Sequence, residues 1–192
     1  MLAEEAVLPT SETRCVTAPQ PRRAPIEVDV TLVASAQHGD RGAFSKLYES
    51  FAPLVHGILL SRVPRDQVDD LMQDVFLTAM TRLRSLRDPR SFGAWIATVA
   101  RNRATDFHRA PQGSALHDNL ASPRPVETEA WFVLEAIRNL PEAYRETLIL
   151  RLVEGMSGPE ISERTGLTEG SVRVNLHRGM GMLREALAGR RP

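Results

Sequence analysis

The chain is expected to be all-α, with two small helical domains joined by a flexible linker and a helix-turn-helix as the second domain. Three observations predict this. Apolar residues recur at three- and four-residue steps through two long segments, about 27–109 and 127–188, and neither segment shows sustained strand alternation. Between them runs "APQGSALHDNLASPRPV", Ala110 to Val126, whose Pro, Ser and Gly content reads as a linker. Near the C-terminus, "SGPEISERTGLTEGSVRVNLHRG" holds a short capped helix, a Gly turn and the start of a longer helix.

The elements follow in order. Residues 1–26 contain Pro9, Pro19, Pro21 and Pro25 with little periodicity, and read as a disordered tail. A first helix is expected over 28–37, ended by His38-Gly39. A second spans 40–62, with Phe44, Leu47, Phe51, Leu54, Val55 and Ile58 at helical steps and Pro53 as a candidate kink. A third starts near Pro64 and reaches about Leu86, on the stripe Val68, Leu71, Val75, Ala79 and Leu83. After the loop "RDPRS", a fourth runs from about Ser91 to Arg109. In the second segment, helices are expected at 127–139 and 142–154. Ser157 with Glu160 three residues on forms a capping box that starts the next. Gly166 suits its left-handed end, and Thr168 caps a last helix to about Leu187. No further domain is expected after residue 188.

The totals exclude several classes. The 192 residues carry 42% hydrophobic and 25% charged side chains, ordinary for a chain that buries a core. No run of about 20 apolar residues is present to span a bilayer, and the acidic N-terminus lacks a secretory signal's apolar stretch. A single cysteine, Cys15, forbids an internal disulfide framework and fits a cytoplasmic location. The five histidines are scattered without metal-ligand spacing, and phosphate-loop and nucleophile-elbow motifs are absent. The expectation is therefore no enzyme, no metal and no cofactor.

Net charge is zero, but its distribution is not even. Residues 27–74 balance to −4, whereas residues 82–109 balance to +5. Such asymmetry suggests one basic and one acidic partner. On the third helix, Asp66, Asp70, Gln73, Asp74 and Leu77 lie away from the apolar stripe or on its edge. That face suits docking on a basic protein surface, although a solvated helix start near the positive dipole end has the same look. On the last helix, at about 100° per residue, Leu176, Leu183 and Leu187 fall with Val172 on a buried stripe. Arg173, Val174, His177 and Arg178 fall opposite, with Gly170 and Gly181. Cations among small residues suit a recognition helix in a major groove; any surface helix can also pair a basic face with an apolar stripe. Arg151 and Arg164 are placed to hold phosphates. Phe92, Trp95 and Phe107 lie within the basic stretch, but they match the helical stripe and read as core rather than as base-stacking platforms.

These residues carry a resemblance. The chain resembles the extracytoplasmic-function (ECF) group of bacterial sigma factors. "DQVDDLMQDVFLTAM" resembles their polymerase-binding helix, and "FGAWIATVARNRATDFHR" is similar to the helix that reads and melts the minus-10 element. "LPEAYRETLILRLVEGMSGPEISERTGLTEGSVRVNLHRGMGMLREAL" is similar to their minus-35-reading domain. The resemblance implies that residues 27–109 form region 2 and residues 127–188 form region 4. It implies that Asp70, Gln73 and Asp74 dock on the clamp helices of the polymerase largest subunit, with the flap as a further contact. Arg84, Arg87, Arg90 and Ser91 then belong to a loop that captures an unstacked minus-10 base, beside Asn102, Arg103, Asp106 and Arg109. Arg151, Ser171, Arg173, Val174, His177 and Arg178 match minus-35 contacts. Core polymerase, promoter DNA and an anti-sigma factor are the implied partners, without membrane insertion. Ser162 and Asn175 depart from the family's usual Ala and basic residue, so promoter sequence does not transfer. The rival reading is a stand-alone helix-turn-helix regulator; it leaves the acidic helix and the Arg-rich block unexplained.

Overall fold

The computed structural model describes residues 29–110 and 129–189; the expected tail and residues 111–126 of the expected linker lie outside them. Among the described residues there are eight α-helices, three short 3-10 turns and no strand.

The first half holds four helices. The first, α1 (Val30–Gln37), begins where the Asp29 carboxylate accepts the backbone N–H groups of Thr31 and Leu32 at 2.9 and 3.2 Å. Such a cap satisfies donors that the first helical turn leaves without a carbonyl partner. Asp40 repeats the device for α2 (Arg41–Leu60), which runs through Pro53. One face of α2 buries Leu47, Phe51, Leu54, Val55, Ile58 and Leu59. A 3-10 turn (Arg65–Gln67) leads into α3 (Val68–Arg82), which buries Val68, Leu71, Val75, Phe76 and Ala79. The sequence suggested one helix to about Leu86; instead α3 ends at Arg82 and tightens into a 3-10 turn, Leu83–Ser85. A further 3-10 turn, Pro89–Ser91, precedes α4 (Phe92–Arg109). Ala97, Ala100 and Ala104 are fully or almost fully buried, and their small side chains let α4 lie close to α2 and α3.

The second half also holds four: α5 (Glu129–Arg138), α6 (Glu142–Leu152), α7 (Gly158–Thr165) and α8 (Glu169–Ala188). The capping box at Ser157 is present in both directions, and Gly166 takes a left-handed φ of +76° at the end of α7. Thr168 caps α8 through the Ser171 backbone N–H. On α8, Val172 and Leu183 are buried as expected, whereas Leu176 and Leu187 are only half-buried. Gly179 marks the closest approach of α8 to α6, since a Cβ there would stand 3.0 Å from Leu148 Cδ1.

The halves share one continuous core. Helix α6 packs against α2 as well as α8, and α7 packs against α4. Leu148, Ile149 and Leu150 are all fully buried, each worth about 1.5–3 kcal/mol of transfer from water. Polar contacts reinforce the seam. The buried carboxylate of Glu146 accepts from Arg101 of α4 and Arg62 beside α2, with Arg101 Nη2 at 2.6 Å and Arg62 Nη2 at 3.1 Å. Arg138 donates to the Val63 carbonyl at 2.5 Å, and His56 meets Glu154 at 2.7 Å.

Candidate nucleic-acid interface

Three surfaces carry the residues singled out from the sequence. The first is the outer face of α3. Because the inner stripe faces α2 and α4, Asp70, Gln73, Leu77 and Met80 are left exposed, as is Asp66 in the 3-10 turn before the helix. Leu77 and Met80 keep 56% and 54% of their surface in water, the two highest values among the exposed large apolar side chains of the described residues. Asp74 stands at the edge of this face, where its Oδ2 accepts a two-pronged hydrogen bond from Arg103 of α4. The sequence put Asp74 in one site and Arg103 in another, and the fold pairs them.

The second surface joins the segment 83–91 to α4. Gln37 of α1 reaches across and donates its amide to the carbonyls of Leu83 and Leu86, at 3.0 and 2.8 Å. Arg84 Nε returns a bond to the Gln37 carbonyl at 3.2 Å, so part of this guanidinium is engaged within the chain. Arg87 and Arg90 are exposed, and Arg90 Nε meets Asp88 at 3.1 Å. The Arg90 side chain and backbone N–H hold the Asp88 carboxyl below its ordinary value. The Ser91 hydroxyl donates to the Asp88 carbonyl at 2.7 Å. Asn102, Asp106 and Arg109 are exposed along α4. Asn102, Arg103 and Asp106 line an open cavity of about 350 Å³ against Asp74, Leu77 and Arg82. Phe92 is fully buried, and Trp95 and Phe107 are half-buried against the core, in keeping with the core reading.

The third surface is α8. Arg173, Val174, His177 and Arg178 are all exposed on one side, and Val174 keeps 46% of its surface in water. Nothing would meet a Cβ at Gly181 within 4 Å, so that flank is open. The Ser171 hydroxyl lies 2.8 Å from that of Thr168, within the cap. Arg151 is exposed and donates to the Met156 carbonyl at 3.1 Å, steadying the turn before α7. Arg164 overturns an expectation. It is only 5% exposed, its Nη1 reaches the Ser50 carbonyl at 3.4 Å, and its guanidinium lies 5.5 Å from the Phe51 ring centre. It belongs to the seam between the halves and not to a phosphate-facing surface.

The geometry thus offers a helix-turn-helix with an exposed basic face, a basic loop beside a polar groove, and an acidic–apolar helix face. Family models for sigma-70 region 2 and sigma-70 region 4 match residues 47–113 and 133–183. The ECF RNA polymerase sigma factor SigD of Mycobacterium tuberculosis (strain H37Rv) is 33% identical over 174 residues, covering 81% of this chain and 82% of that one. The chain belongs to the ECF sigma factors. RNA polymerase sigma factor SigZ of Bacillus subtilis (strain 168) is 33% identical over 129 residues, 64% of this chain and 73% of its own. Among solved structures, CnrH in complex with the cytosolic domain of CnrY superposes with a TM-score of 0.64 at 26% identity, over 85% of this chain and 99% of that one. As an ECF sigma factor, the chain binds core RNA polymerase and directs promoter-specific initiation of transcription. Among the described residues, no helix is long and apolar enough to cross a membrane.

Sequence reasoning missed the residues of the seam: Arg62, Arg101, Glu146, His56 and Glu154. One signal was available. Thr147 to Leu150 leave α6 apolar or uncharged across several adjacent positions, and a helix apolar on more than one side is buried on more than one side.

Proposed function

We propose that this ECF sigma factor divides its work among the three surfaces. The acidic–apolar face of α3, with Asp70, Gln73 and Asp74, docks on the clamp helices of the polymerase largest subunit. The segment from Arg84 to Ser91 captures an unstacked minus-10 base, beside Asn102, Arg103, Asp106 and Arg109. Helix α8 reads the minus-35 element in the major groove through Arg173, Val174, His177 and Arg178, with Arg151 and Ser171 near the backbone. The residues 27–109 and 127–188 act as the two functional domains. The chain performs no catalysis of its own and works in the cytoplasm, where polymerase and DNA are. CnrH is seen with the cytosolic domain of CnrY, and a protein partner, an anti-sigma factor, is proposed for this chain.

The observation that carries this reading is the α3 face. Exposed Leu77 and Met80 beside Asp70 and Gln73 give an apolar strip rimmed by acid, which suits a basic protein surface and has no use in a regulator that meets only DNA. The test combines two assays. Gln73→Ala should weaken capture of core polymerase in a pull-down, with the helical circular dichroism signal unchanged. A gel shift with promoter DNA should show a specific complex with polymerase and only weak, salt-sensitive binding without it. Tight sequence-specific binding by the chain alone would favour the stand-alone regulator.

A further inference from the structure

We propose that Gln37 is a positioning residue for capture of the minus-10 strand, although it lies on α1, outside the segments assigned to DNA. The inference rests on the reading of residues 84–91 as the capture loop.

A helix ends with carbonyls that lack intrahelical partners, and a loop that must hold one shape needs them satisfied. Helix α3 ends at Arg82 and its 3-10 continuation ends at Ser85, just where the loop begins. The Gln37 amide bears two N–H groups and no other side-chain donor, and both are directed at this junction. They reach the carbonyls of Leu83 and Leu86, three residues apart, at 3.0 and 2.8 Å. The backbone of residue 37 contributes a third link, accepting from Arg84 Nε at 3.2 Å. All three bonds leave one residue and end within 83–86. Residue 37 is itself fixed, being the last residue of a helix capped by Asp29 and anchored by fully buried Val33. The hydrogen bonds within the loop beyond, through Asp88, Arg90 and Ser91, span only two or three residues, while its second turn packs against α1 and α4. Among the described residues, Gln37 thus supplies the long-range side-chain hydrogen bonds to this segment, 46 and 49 residues away in sequence, that fix the direction in which the chain leaves α3 towards Arg87 and Arg90. A base held by hydrogen bonds is discriminated only if the groups around it keep their places. This loop has no aromatic to tolerate misplacement by stacking.

The substitution Gln37→Met keeps length and bulk and removes both donors. The probe is a single-stranded DNA library with randomised sequence, presented to reconstituted polymerase carrying the wild-type chain, Gln37→Met, or a chain with residues 86–91 replaced by Gly/Ser. Bound strands are sequenced. Gln37→Met should reduce preference at the captured base by about tenfold, the equivalent of one or two lost neutral hydrogen bonds. Its affinity for core polymerase should stay within about twofold, as for a substitution away from the docking face. A purely structural role would instead lower polymerase affinity, melting temperature and DNA binding together. If the Gly/Ser chain loses its preference and Gln37→Met keeps it, the role of Gln37 is overturned and the capture loop stands. If the Gly/Ser chain also selects the same strands as wild type, the capture loop itself is misassigned and the inference falls with it.

Discussion

Asp74 and Arg103 show how one residue can answer to two surfaces. Their two-pronged pair ties the edge of the proposed docking face to the groove-lining side of α4. Both side chains are more than one-third exposed, so water screens the pair and its contribution to folding is small. Removing Asp74 would therefore disturb docking and α4 together, whereas Gln73, one residue away and exposed, reports on docking alone. Gln73→Ala is expected to cost about 1.5–3 kcal/mol of polymerase binding if the side chain meets a charged group there. Titration of labelled chain with core polymerase measures it. On α8, Arg173→Ala and Arg178→Ala should each cost about 1–3 kcal/mol where the guanidinium meets a base, and should relax selection at one promoter position. A phosphate contact would weaken all sequences evenly, and footprints on single-base promoter variants separate the two. The exposed residues of α8 were legible because a helical wheel places them once one stripe is known to be buried. Arg164 was not, because its fate depends on Ser50 and Phe51, more than a hundred positions earlier in the chain. Local periodicity carries no information about such partners.

At the scale of elements, the helices were legible to within a few residues because their caps are written locally, as Asp29, Asp40, Ser157 and Thr168 show. The end of α3 was less so. The tightening at Leu83–Ser85 is stabilised from α1, and a stripe that includes Leu83 gives no hint of it. Gly166 offers a test of the helix-turn-helix turn. Its φ of +76° disfavours any side chain, and an added Cβ would also stand 3.3 Å from Ala94 Cβ. Gly166→Ala should lose about 1–3 kcal/mol of stability from the backbone alone. Urea denaturation measures that loss, and an unchanged midpoint would mean that the turn relaxes without cost. The capture loop is tested by exchange of residues 86–91 for a Gly/Ser segment. Polymerase binding should persist while open-complex formation is lost, since unstacking a base costs a few kcal/mol that an unstructured segment cannot return. Permanganate reactivity of promoter thymines reports the outcome. Normal reactivity would shift strand capture to the helix bearing Asn102 and Asp106.

At the scale of the whole molecule, the seam between the halves sets a condition on function. Two promoter elements about 25 base pairs apart are separated by about 85 Å at 3.4 Å per step. A compact body of this size is only about 40 Å across, on the usual scaling of radius with length. Helix α4 here touches the turn of the helix-turn-helix, with a Cβ at Gly93 only 3.3 Å from Arg164 Cα. If the two halves engage these elements as proposed, they part first, and the ion pairs at the seam oppose this. Burial is the largest influence on Glu146 and pushes its pKa up, but Arg101 and Arg62 together outweigh it and hold the carboxyl below its ordinary value of 4.5. That contribution is present above pH 4.5 and fades as pH falls through the lowered value. His56 has the opposite sense. Its hydrogen bond to Glu154 raises it above 6.5 despite partial burial, with Asp69 adding to the rise and Arg65 opposing it. Its contribution is complete below pH 6.5 and is lost as pH rises through the raised value. Closure should thus be firmest between these two limits and loosen as pH rises through the raised His56 value. Glu146→Gln leaves two arginines facing an uncharged partner, a change that costs up to about 3–5 kcal/mol in a closed, dry seam and little once water enters. The expected result is a longer distance between fluorophores at positions 81 and 185, both exposed, in Glu146→Gln than in the wild-type chain. Wild type should lengthen as pH is raised, and His56→Gln should remove that response. An unchanged distance in Glu146→Gln would place the closing force in the apolar contacts of α6, where Leu150 fills the space beside Gly57.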